Sequence, residues 1–160
     1  MKIKLKSMIL WTITIVWMLL IFFFSSQNGE QTAKTSGDIA QKTAEIIYVE
    51  PSEEQVQNVH LNIRTLAHIM LFSGLGILMF ASISSTFAGK KQVIFLSAAI
   101  LTSAYGFFDE WHKQFITGRH FDVEETILNI CCGIAGAAAA MLTVWIIAYF
   151  KRPNQSNVSQ

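Results

Sequence analysis

Four stretches of this chain run for 17 residues or more without an Asp, Glu, Lys or Arg: residues 8–24, 66–89, 92–108 and 126–150. No other feature restricts the possible folds so severely. A helix crosses the hydrocarbon layer of a membrane in about 20 residues, with a working range of about 17–25. All four stretches reach that range, the first and third at its lower limit. They must be helical because lipid offers no partner to a bare peptide N–H or C=O, and a helix satisfies both within itself. Composition agrees: 52% of the 160 residues are hydrophobic and 14% charged, against about a quarter charged in an ordinary soluble domain. The expected fold is therefore all-α, a polytopic membrane protein with four transmembrane helices. It forms a single transmembrane domain over residues 1–152, followed by a disordered cytoplasmic tail at 153–160. The net charge of +1 says nothing about a partner, and with no basic stripe nucleic acid is not an expected one.

The first run follows Lys2, Lys4 and Lys6 and so resembles the start of a secretory signal. Its apolar core is longer than the usual stretch of about 7–15 residues, and Ser25-Ser26-Gln27 stands where a small-x-small cleavage site belongs. A retained helix is expected. Orientation follows from the positive-inside rule. With the N-terminus inside, Lys2, Lys4, Lys6, Lys90, Lys91, Lys151 and Arg152 lie in short cytoplasmic flanks and one tight loop. Lys34, Lys42, Arg64, Lys113 and Arg119 are spread over the longer outer segments. The same assignment puts all 11 carboxylates and all 4 histidines in the outer segments or within a turn of them. One face of the protein then carries the titratable chemistry, and both termini are cytoplasmic.

Between the first two spans, residues 35–49 set Ile39, Ile46 and Ile47 among polar residues. This pattern predicts a short amphipathic extracytoplasmic helix along the membrane surface. After Pro51, Ser52-Glu53-Glu54-Gln55 fits a capping box, so the second long helix should start near Glu53 and continue to about Ser85. The last run carries a stripe of small residues, Gly133, Gly136, Ala137 and Ala140. Such a stripe lets helices approach closely, either within the chain or between copies in a homo-oligomer. Cys131 and Cys132 are adjacent, which disfavours a disulfide between them.

The chemistry gathers at the predicted outer ends. Arg64 and His68 are four apart, and Asp109 and His112 three apart, so each pair shares a helix face if the third span continues past Phe108. Asn129 lies one turn into the fourth span, and Ser25, Ser26 and Gln27 close the first. Polar groups at that depth are costly unless they face one another or a wet cavity, which predicts one outward-opening polar pocket between the helices. Trp111, Phe115 and Phe121 read as interface aromatics, Gly118 as a turn residue, and Lys113 as a snorkelling surface lysine.

Taken in order, FSSQ at 24–27, R-x-x-x-H at 64–68, DEWHKQF at 109–115, GR at 118–119 and E-x-x-x-N at 125–129 make the chain resemble the VanZ family. These are small bacterial membrane proteins associated with reduced susceptibility to teicoplanin and related glycopeptides. Two positions depart from the family pattern: Glu125 stands where Asp is usual, and Thr117 where proline often precedes the Gly-Arg. The resemblance implies a cell-envelope protein of the bacterial membrane. The residues it marks include Ser26, Gln27, Arg64, His68, Asp109, Glu110, His112, Gln114, Arg119 and Asn129.

Chemically, Arg64 and Arg119 offer forked donors for an anion such as a lipid-linked cell-wall precursor or a membrane lipid headgroup. Gln114, Glu125, Asn129, Ser26 and Gln27 complete the binding wall. His112 and His68, with Asp109 or Glu110, have the atoms for proton transfer. Nothing in the spacing names a metal or any other cofactor. The other reading is a non-catalytic membrane protein in which the same charges neutralise each other to hold the helices together.

Overall fold

The computed structural model describes residues 5–27, 29–48 and 50–151. Lys2, Lys4, Val49, Arg152 and the segment 153–160 lie outside them. Five helices follow one another: α1 (Leu5–Ser25), α2 (Gly29–Ile47), α3 (Glu53–Thr86), α4 (Lys91–Lys113) and α5 (Val123–Phe150). There is no strand among the described residues. Four of the helices, α1, α3, α4 and α5, are long and apolar enough to cross a membrane. Large apolar side chains cover the outside of this bundle, among them Leu19, Phe23, Met70, Leu96, Ile127 and Trp145. So extensive an apolar exterior is untenable in water and suits a lipid environment.

Local chemistry sets the helix ends. Ser52 Oγ accepts from the Gln55 N–H at 3.3 Å, while Gln55 Oε1 accepts from the Ser52 N–H at 2.9 Å. This is the predicted capping box, and α3 begins at Glu53 and runs unbroken to Thr86. At the start of α5, Asp122 Oδ1 accepts from the backbone N–H groups of Glu124 and Glu125, at 2.8 and 3.2 Å. That cap sets Glu125 on the first turn of α5. The α4–α5 connection turns at Gly118, whose φ of 75° lies in the region open to glycine.

α2 is the helix expected between the first two spans and differs from the expectation in where it starts. It starts at Gly29, six residues earlier than the amphipathic pattern, and docks through Ala40 and Ala44, both fully buried. These alanines pack on Val59 of α3, with Val56 and Ile63 beside it. The expected apolar face, Ile39, Ile46 and Ile47, points away from the protein. Alanine wins the docking face because it allows close backbone approach without side-chain entropy to lose.

The bundle interior is built on small residues. A Cβ on Gly76 of α3 would collide with the Gly133 carbonyl of α5, and one on Gly136 with the Ser73 carbonyl of α3. The small-residue stripe of α5 thus packs inside the chain, with Gly133, Gly136 and Ala137 buried. At one end of the bundle Met79, Phe80, Ile83, Ile94, Ala98 and Ala137 form an apolar core. That end is laced by uncharged hydrogen bonds: Ser7 Oγ donates to the Ser85 carbonyl at 2.7 Å, Trp11 Nε1 to Thr86 Oγ1 at 2.9 Å, and Thr14 pairs with Ser82 at 2.8 Å. The other end is of a different kind.

Candidate functional site

At that other end α4 runs on past Phe108 to Lys113, as the Asp109/His112 spacing required. Successive residues of a helix differ by about 100° in direction. Asp109 and His112 therefore face α1, while Glu110 and Lys113 face α3 and α5. The polar layer has two compartments, one on each side of α4.

The compartment toward α3 and α5 is a chain of alternating charges. Arg64 of α3 pairs through Nη2 with Glu125 Oε1 of α5. Lys113 Nζ donates to Glu125 Oε2 at 3.0 Å and to Glu110 Oε2 at 2.6 Å. His68, one turn beyond Arg64, brings Nε2 to 3.6 Å from Glu125 Oε2 and Nδ1 to 2.8 Å from Asn129 Oδ1. Exposure is graded along this chain: the side chains of Lys113 and Glu110 are 2% and 1% exposed, that of Arg64 38%. The chain therefore opens at Arg64 and closes at Glu110.

Toward α1, Ser25 Oγ donates to Asp109 Oδ2 at 3.0 Å. His112 stacks near Phe22, with ring centroids 4.5 Å apart, and its Nε2 lies 3.4 Å from Ser26 Oγ. His112 is oriented by the main-chain carbonyl of Asp109, 3.3 Å from Nδ1, rather than by the Asp109 carboxylate. Ser26 Oγ donates to the Phe22 carbonyl at 2.6 Å, so its hydrogen is directed away from His112 and the pair is not set up as a nucleophile and base.

Of the residues singled out from sequence, Arg64, His68, Glu110, Glu125 and Asn129 meet in one compartment, and Ser26, Asp109 and His112 in the other. Gln114 is exposed and donates to the Trp111 carbonyl at 2.8 Å, outside the cluster. Arg119 sits partly exposed in the α4–α5 connection, and Gln27 just after α1.

Lys113 requires a correction. Expected as a snorkelling surface lysine, it is among the most buried charged side chains described and bridges two carboxylates. Burial of its ammonium is tolerated because Glu110 and Glu125 both accept from it. The i,i+3 spacing from Glu110 was the available signal; the contact with Glu125 needed the tertiary fold. Ser25, the partner of Asp109, also joins the site.

Three buried polar atoms of this layer, Asp109 Oδ1, Glu110 Oε1 and Asn129 Nδ2, have no hydrogen-bond partner among the described residues. No three His, Cys, Asp or Glu side chains among those residues converge as metal ligands.

Fold and site together define a multi-pass helical membrane protein with an ion-paired polar layer at one end of its bundle. The VanZ/LLP1 family model matches residues 10–147, from α1 almost to the end of α5. The chain belongs to that family. No curated protein and no solved structure matches it.

Proposed function

We propose that this protein recognises an anionic cell-wall or lipid intermediate with its polar layer, which faces outward from a bacterial membrane, and that this recognition underlies tolerance to glycopeptides such as teicoplanin. The outward placement rests on the distribution of lysine and arginine, and the link to glycopeptides on the family. Three buried unpartnered atoms in the layer carry the reading. An orphaned buried group costs about 1–3 kcal/mol; Ser84 Oγ and Thr102 Oγ1 elsewhere in the bundle are also unpartnered, but three orphans gathered among the ion pairs of one layer suit a site that takes a ligand. Arg64 is the entry point. It is the most exposed member of the charge chain, and its forked guanidinium suits phosphate or carboxylate. Arg119, in the neighbouring connection, adds a second cation on the same side. On the α1 side, His112 and Asp109 supply the groups through which a bound intermediate would exchange protons.

A second reading has its own support: the sequence Arg64–Glu125–Lys113–Glu110 joins α3, α4 and α5, as a clasp without a ligand would. One comparison separates the two. Cells producing Arg64→Met are expected to lose teicoplanin tolerance relative to the parent, while the purified variant melts close to it, since Glu125 keeps Lys113. If Arg64→Met and Arg119→Ala both protect as well as the parent, the recognition reading fails and the clasp remains.

A further inference from the structure

Among the described residues, Glu125 is the carboxylate that meets both cations of its compartment. Its Oε1 accepts from Arg64 Nη2, and its Oε2 accepts from Lys113 Nζ at 3.0 Å. The two cations are unlike. Lys113 is buried between two carboxylates, whereas Arg64 is partly exposed and pairs with Glu125 through one nitrogen of its fork. An incoming anion therefore reaches Arg64 and not Lys113. There it meets a place already held by a carboxylate.

That resident carboxylate is tethered. Asp122 Oδ1 accepts from the Glu125 N–H at 3.2 Å and fixes the first turn of α5. Lys113, itself fastened to Glu110 at 2.6 Å, holds Oε2 and leaves Oε1 on Arg64. A tethered group competes at an effective concentration of about millimolar or higher. A free carboxylate brings the same charge and the same two oxygens as the resident one, so exchange gains nothing and loses the tether. A phosphomonoester differs in kind, with about two negative charges and three acceptor oxygens. An arginine fork carries five N–H donors, and Glu125 engages it at Nη2. A phosphomonoester can spread over several of these donors and draw the guanidinium off a single carboxylate oxygen. We infer that Glu125 is a built-in competitor at Arg64, which sets the site to admit a phosphomonoester headgroup and to turn carboxylates away. The role of Glu125 rests on the recognition reading above and names the ligand class of that site. Glu125 is then a specificity-determining residue and not a contact of the ligand. When it is displaced from Arg64, Lys113 keeps its other oxygen, so α4 and α5 stay joined while the link from α3 to α5 opens.

Calorimetry on the full-length protein in detergent tests this with three probes: short-chain phosphatidic acid, octanoate and inorganic phosphate. The parent is expected to bind phosphatidic acid and to give no heat with octanoate. Glu125→Gln removes the competing charge at nearly unchanged size. It should tighten phosphatidic acid binding by about fivefold, the strength of a partly exposed ion pair, and octanoate binding should appear. Arg64→Met/Glu125→Gln should bind no better than Arg64→Met, which ties the gain to Arg64 rather than to net charge. Unchanged or weaker binding by Glu125→Gln overturns the inference and leaves the recognition reading intact. Should Glu125→Gln fail to fold, the parent decides by itself: equal affinity for octanoate and phosphatidic acid overturns the inference. If neither parent nor Glu125→Gln binds any probe, the recognition reading falls together with it. Response to phosphatidic acid alone identifies a lipid headgroup as the ligand source, and response to inorganic phosphate as well identifies the phosphate itself.

Discussion

The two ends of the bundle solve one problem by different means. Where α1 starts and α3 ends, helices are joined by hydroxyls and an indole, Ser7, Thr14, Ser82 and Trp11, over an apolar core. At the opposite end α3, α4 and α5, with α1 beside α4, are joined through two cations, three carboxylates and two imidazoles. Uncharged hydrogen bonds suffice to hold membrane helices, at about 0.6 kcal/mol each on average. Charges in the same position demand near-complete pairing, and a single missing partner is expensive. The uncharged end shows that helices of this fold can be joined without ions, which fits the proposal that the ions at the other end also serve a ligand.

The comparison can be broken most sharply at Lys113. Lys113→Met leaves Glu110 and Glu125 buried without their shared ammonium and should cost about 3–5 kcal/mol, read as an early thermal transition in detergent. A variant that melts with the parent would mean the cluster bears no structural load at all. Next in size is Gly76→Ala, midway along α3. The added methyl meets the Gly133 carbonyl, so α3 and α5 must part, at about 1–3 kcal/mol. The loss should appear in melting and should not follow pH, because no titratable group is touched. Smallest is Thr14→Val at the uncharged end. It removes the bond to Ser82 and should cost about 0.6 kcal/mol, with the tolerance phenotype intact. If Thr14→Val proves as damaging as Lys113→Met, the two ends do not differ in the way described.

Much of this was legible before any coordinates. The four spans, the capping box before α3 and the Gly118 turn follow from local rules: hydrocarbon demands a satisfied backbone, and caps and turns depend on neighbours within four residues. The i,i+3 and i,i+4 spacings also placed Arg64 with His68, and Asp109 with His112, on common faces. Misreadings came where a distant partner decided. Lys113 looked like a rim lysine because its run is polar, yet Glu125 of α5, twelve residues further on, draws it inside. The isoleucines of α2 were legible as a face turned to the membrane surface, but its docking face was not: α3 presents Val59 and takes Ala40 and Ala44. The small-residue stripe announced close packing without naming its partner, which the fold supplies in Gly76 and Ser73 of α3.

By itself the chain's order of residues determined the four spans, the capped start of α3 and the level at which polar groups collect, since each depends on periodicity and short-range hydrogen bonding. Only the tertiary structure decided which cation meets which carboxylate. Ion pairing depends on distance across helices, and a step of one residue turns a side chain by about 100° from one neighbour to another. That rotation divides Asp109 from Glu110, and with them the two compartments of the site.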